Sequence, residues 1–497
     1  GFNERRYPFL DEGINTFIEI RYMDARYTNL KLYDTYGMSS GLARILGIEH
    51  MKYRHQHELL YLIPARQNKD QPTNTPSAGF TGLNYGSIPY SKTGLAFKHL
   101  EGYLGRRTFD QAMRRFFHFW KFKHPYPEDL QNTFEKNTDR PLDWFFDSVA
   151  GTSKKIDYRL KRVKGNRLLV SNRGEIAAPL VIGGIREGKT IFTRWYDGFK
   201  GEQWLDIPDD KVDLYRIDPH HEMLELYRHN NTLRSGGILK KVEPLKIEFL
   251  GLVNNPRFTQ VHVAPSLGWN YYDKTMLGVT LYEAILPPDH FDYFLSPLYS
   301  TARKVLSGQG QLDFNLYPDG TFQRVRLHFS GKQYGYQEDN NLSYNRLRGE
   351  VQLRFKKQEP RKRGKTELSY AFTRARKIED LVADGGEKGY RMFHELSFVY
   401  DKKTLSINPH RLEAQLEYGG DFLKGSIEAN YKLSYYRNEG LNIRFFGGAF
   451  LYREDGLPWF YAYHLSGSSG MDDYTYNRTF LGRFEQPGNE VGNQFLA

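Results

Sequence analysis

From residue 1 to about residue 150 apolar side chains recur every three to four positions, the spacing of helices packed on one face. Ile14, Phe17, Ile18 and Met23 predict a helix over Asn15 to Asp24. Leu95 to Leu104 and Phe109 to Phe122 repeat the pattern, the second through Met113, Phe116, Phe117 and Trp120. Pro127 and Pro141 each open a further helix, where a first-turn proline costs no hydrogen bond and Glu128 and Asp129 favour the dipole. From Asp157 the period falls to two. Leu168 to Val170, Leu180 to Ile182 and Ile191 to Tyr196 read as short strands bounded by Gly, Asn and Asp.

Beyond about Leu245 the strands lengthen and alternate strictly. Leu347, Gly349, Val351, Leu353 and Phe355 share one face against Arg348, Glu350, Gln352, Arg354 and Lys356. Leu412, Ala414, Leu416 and Tyr418 oppose Glu413, Gln415 and Glu417 in the same way. Roughly ten or eleven such segments approach the length with which a tilted strand crosses a bilayer. One strongly ionic face suits a water-filled lumen, and the aromatics suit interfacial girdles. The fold class expected is multidomain α + β. A helical part spans 1–152, a small antiparallel β-sandwich 153–228, a polar linker 229–243, and a long-stranded antiparallel barrel 244–497. Gly488 to Ala497 lacks an aromatic terminus, so truncation is expected there.

Composition narrows the chemistry. The 497 residues contain no cysteine, which excludes disulfides, thiolate catalysis and Cys-ligated zinc. No run of apolar residues is long enough for a transmembrane helix, and mean hydropathy is −0.66. Strands that alternate average out as polar, so that value leaves a barrel open. The net charge of +11 favours acidic partners only weakly.

Candidate chemistry gathers at the start of the chain. In Tyr7-Pro-Phe-Leu-Asp-Glu-Gly13, Asp11 and Glu12 open a helix, and Glu19 lies two turns after Glu12. Tyr85 and Tyr90 lie in Asn84-Tyr-Gly-Ser-Ile-Pro-Tyr-Ser-Lys-Thr-Gly94. Those two segments, followed by Asp129-Leu130 and Leu142-Asp-Trp-Phe-Phe146, resemble in order the aminopeptidase N-like gluzincin peptidases over residues 1 to about 230. The resemblance implies a zinc site of two HExxH histidines and a glutamate, with one position open to water. Glu12 would be the glutamate ligand, Glu19 a support for the metal-bound histidines, Tyr90 the donor to the oxyanion, and Tyr85 its neighbour. The reaction implied is hydrolysis of an N-terminal peptide bond. The long-stranded part resembles the membrane portion fused to some Gram-negative relatives, which implies an outer-membrane location, with the catalytic domain periplasmic or extracellular and lipid as a partner.

The two histidines are not here. His57-Glu58, His221-Glu222 and His394-Glu395 each lack the second histidine of HExxH, and only eleven residues precede Glu12. The histidines are therefore expected upstream of residue 1, and this chain alone is expected to be inactive. The competing expectation is a non-enzymatic outer-membrane barrel protein whose degenerate peptidase-like part binds peptides or acts as a scaffold. Gly183 to Thr190 matches a phosphate-loop pattern, but Ile191 to Tyr196 is β-branched and aromatic, so a hairpin turning at Glu187-Gly188 is expected. The basic run Lys356 to Lys365 reads as a solvated hairpin loop, and no nucleic-acid partner is expected. His220-His221 reads as a loop pair without a third ligand, and His118 and His124 as packing residues. The oligomeric state is left open.

Overall fold

The computed structural model describes residues 2–208, 211–337, 342–361, 364–376, 389–402, 407–436, 439–458, 461–463 and 474–475. The chain divides into two compact units, Gly1–Val261 with Ala284–Pro288, and His262–Glu283 with Asp289–Ala497.

The first unit begins with helices. Ile14–Arg26 buries Thr16, Phe17 and Ile20, so of the predicted positions Phe17 faces the core, Ile14 and Met23 are half-buried and Ile18 is exposed. It packs on Thr93–Leu104, of which nearly every residue is buried, making that helix the axis of the helical core. Arg106–Trp120 lies alongside through Phe109, Ala112 and Phe116. Phe17 meets Phe97 and Phe109 at ring distances of 6.0 and 5.1 Å. Pro127–Glu135 begins at its proline, and Trp144–Ala150 is a π-helical turn after Pro141. A further helix, His55–Arg66, has no counterpart in the sequence reading. Its buried positions include His57, Pro64 and Arg66, so its inward face carries polar and helix-breaking residues that hide the period.

Two small sheets follow in the same unit. One pairs Tyr158–Lys164, Arg167–Asn172 and Glu202–Asp206, and the other runs Lys189–Tyr196, Leu180–Arg186, Leu214–Ile217, Thr232–Arg234. Arg186 pairs with Lys189 across a two-residue turn, with Glu187 and Gly188 at φ 50° and 74°, so the glycine-bearing match is a hairpin. The linker expected over 229–243 is corrected at its start. Thr232–Arg234 enters the second sheet and buries Leu233, because one apolar residue between polar neighbours is enough for an edge strand. His99 joins helix to sheet: Nε2 lies 2.8 Å from the Pro179 carbonyl, and the ring packs on Trp144 and Trp195.

Thr259–Asn270 opens an antiparallel meander that runs strand to neighbouring strand as far as Glu439–Arg453. With Leu245–Phe249 it makes a twelve-stranded sheet. The expected closure is corrected: the sheet is open, and Leu245–Phe249 and Glu439–Arg453 do not pair among the described residues. The expected truncation near Ala497 falls outside the described residues. The polarity of the faces is the reverse of a water-soluble sheet. Leu347, Met392, Leu396, Leu416 and Ile427 are exposed, whereas Arg346, Glu367, Glu417 and Lys424 are buried.

Burial pushes His99 down to about 4 from an ordinary 6.5. The folded state therefore binds the proton less well than the unfolded chain, and stability should fall as pH drops from 6.5 toward 4. The loss is about 3 kcal/mol at most. His99→Gln should flatten that slope in denaturant melts of the chain at pH 4.5 and 7.

Candidate metal centre

Glu12 and Tyr90 both stand on π-helical turns, Phe9–Gly13 and Ile88–Lys92, each running directly into a long helix. Such turns recur at functional sites because the extra residue turns a side chain out of the helical register. Phe9, Leu10 and Gly13 are buried, which leaves Asp11 and Glu12 half-buried at the edge. The second turn is prepared by Thr81, whose hydroxyl accepts from the Asn84 amide and starts Gly82–Ser87, and by Pro89 in the turn itself. Lys92 is buried and donates from Nζ to the Thr152 carbonyl, which fixes the far end. Burial pushes that amine down to about 8.

Close backbone approach brings the two turns together. A Cβ on Gly13 would lie 2.2 Å from Cγ2 of Thr93, and one on Gly94 would lie 2.8 Å from Cγ2 of Thr16. With both absent, the Tyr90 hydroxyl donates to Glu12 Oε1 at 2.6 Å. Burial, then the Glu12 carboxylate, raises the Tyr90 phenol well above its usual range, so Tyr90 keeps its proton and remains a donor.

Tyr85 lies beside Tyr90, rings edge to face at 6.1 Å, and donates to Glu4 Oε1 at 2.9 Å. Glu4, Asp11 and Glu12 bring carboxylate oxygens within 4.8 Å of one another, and burial, then the charge of Glu4, raises the Asp11 carboxyl. Glu19 is exposed and accepts from the Tyr53 hydroxyl. Burial, then that bond, pushes the Tyr53 phenol up to about 12. The structure thus unites Glu12, Tyr90 and Tyr85 and ties Glu19 to Tyr53. Sequence reasoning missed Glu4 and Tyr53, for which no spacing gives a signal, and named Asp11 in the motif without assigning it a role.

Glu12 offers zinc what a single carboxylate ligand must: a half-buried oxygen pair oriented by a hydroxyl. No histidine joins it in a metal-sized group among the described residues. His55, Glu58 and His221 form such a group elsewhere, so His221 has the companions its loop position concealed. The His55-x-x-Glu58 spacing, one helical turn, was the signal available. That group does not suit a cation. His55 Nδ1 accepts from the Lys52 amide at 2.8 Å, which puts the proton of the neutral ring on Nε2. Glu58 already faces His221 Nδ1 at 3.2 Å and Arg228 Nε at 3.9 Å. Burial would raise its carboxyl, but those neighbours hold it far below the usual range.

Residues 6–149 match the model of the Peptidase family M1 domain. The match supports a relationship to the aminopeptidase N-like metallopeptidases, a zinc-dependent family, and it contains Glu12, Glu19, Tyr85 and Tyr90. No curated protein matches the chain.

Gly94→Val should overpack the contact with Thr16 and cost about 1–3 kcal/mol. Urea unfolding followed by helical circular dichroism measures it, and unchanged stability would mean that the two helices tolerate separation.

Proposed function

We propose that this chain belongs to a zinc-dependent, aminopeptidase-like metallopeptidase that hydrolyses N-terminal peptide bonds and is held at a bacterial outer membrane by its long-stranded sheet. The observation that carries the enzymatic part is the Glu12–Tyr90 hydrogen bond inside the region matched by the peptidase model. Glu12 would supply one metal ligand, and the two histidines and the general base would come from outside these 497 residues, so this chain alone would be inactive. Zinc, when bound, polarises the scissile carbonyl and acidifies water. With Glu12 engaged by the metal, Tyr90 would turn its single hydroxyl proton from Glu12 to the carbonyl oxygen as negative charge develops there, and Tyr85 would flank it.

The membrane part rests on the inverted sheet. A contiguous apolar face this large has no stable home in water. The charges on the other face satisfy one another instead: Arg348 reaches Glu350 and Glu395, and Arg354 reaches Glu367. Lipid against the apolar face and water against the charged one is the environment in which both faces are stable.

Two measurements test the reading. In a longer form that carries HExxH, Tyr90→Phe should keep zinc while lowering kcat about 100-fold or more, and Glu12→Ala should lose the zinc. Zinc content unchanged in the Glu12 variant would sink the enzymatic part. Leu347→Arg should destabilise the sheet in liposomes by about 2–4 kcal/mol, whereas at a water-exposed position its effect stays within about 0.5 kcal/mol. Chain that stays soluble without detergent and ignores liposomes would sink the membrane part.

A further inference from the structure

A second concavity in the first unit, of about 540 Å³, is unused by this chemistry. It lies among the start of the His55–Arg66 helix, the turn at 218–221 and the segment 253–258. Six cationic side chains line it, Lys31, Lys52, Arg54, Arg66, Arg228 and Arg257, against one carboxylate, Glu58.

Three of the six build the wall. Arg54 pairs with Asp24 at 3.0 Å and donates to the His220 carbonyl, and Arg228 pairs with Asp218 at 2.6 Å. Arg66 donates to the Leu226 carbonyl and lies over the Tyr227 ring. Lys31, Lys52 and Arg257 have no carboxylate within ion-pair distance among the described residues. Glu58 does not offset them, since His221 and Arg228 already engage it. The Nδ1 atoms of His55 and His221 are engaged by the Lys52 amide and by Glu58, and the proton of the neutral His55 ring therefore sits on Nε2, where it donates.

A concave wall with surplus positive charge concentrates anions. We propose that this pocket binds a phosphorylated ligand carrying two or more ionised phosphate groups. Free cations from three separate stretches of chain converge on it, more than one carboxylate could engage, and ammonium and guanidinium both suit phosphate oxygens. The volume exceeds that of a single phosphate, and Met51, Leu59 and Phe258 offer apolar surface to an organic portion.

Calorimetric titration of the full chain in detergent with inorganic pyrophosphate tests this. Lys52 and Arg257 are exposed, so their substitution leaves the core intact. Lys52→Gln and Arg257→Gln should each weaken binding about fivefold, and the double variant more than about tenfold. Affinity should also fall as salt is raised. Absence of binding at millimolar pyrophosphate, or equal affinity in the double variant, overturns the proposal. So does Zn²⁺ binding that His221→Ala abolishes in a chain that takes no pyrophosphate.

Discussion

The candidate centre depends on two helices whose backbones approach more closely than any pair of ordinary side chains allows. Gly13 faces Thr93, and one turn further along Thr16 faces Gly94, so a small residue stands opposite a β-branched one twice in opposite order. That reciprocal fit explains why the glycine directly follows Glu12 in the sequence. A side chain there would push the first π turn away from the second and open the Glu12–Tyr90 hydrogen bond. The fit is braced further along by Phe17 on Phe97 and Phe109, and by the Arg21 guanidinium lying bidentate on Asp110. Site geometry and core packing are therefore one constraint.

The long sheet obeys the opposite rule. Its buried face carries the charges and its exposed face the leucines and tyrosines. Buried charge is costly unless partnered. The partners come from neighbouring strands because the antiparallel register sets them side by side: Arg348 stands opposite Thr373, within reach of Glu395 one strand further, whose other oxygen accepts from Gln415. Asp273 does the same at one end of the sheet, accepting from Arg303, Ser307 and the Gly335 amide.

Much of this was legible because the periods were clean. Phe17, Phe109 and Phe116 face the core as their spacing predicted, Ile18 and Phe117 from the same stretches are exposed, and the alternation from Leu347 to Phe355 marked the strand observed. Glu12 and Tyr90 were legible as a pair through resemblance, since nothing in their separation of 78 residues implies contact. The His55–Arg66 helix escaped because its inward face mixes His57, Pro64 and Arg66 with Tyr61, Leu62 and Ala65, which blurs the apolar period. Sheet closure could not be read at all, because alternation fixes which side a residue faces and leaves the pairing of end strands undetermined. His221 escaped for another reason. Its place beside Glu58 is set by Asp218, which accepts from the amides of Glu222 and Met223 and holds the turn, a three-dimensional cause without a local pattern.

The charge surplus of +11 looks different once its neighbours are known. In the long sheet Arg326, Arg354 and Arg444 each meet an acid across a strand, so they contribute cohesion and little outward field. In the first unit the cations around the pocket outnumber their acids, and three of them come from separate stretches of chain. Equal residues thus do different work: paired across a ladder they satisfy a face with little access to water, and gathered unpaired in a hollow they create a field. Only the second arrangement asks for something from solution.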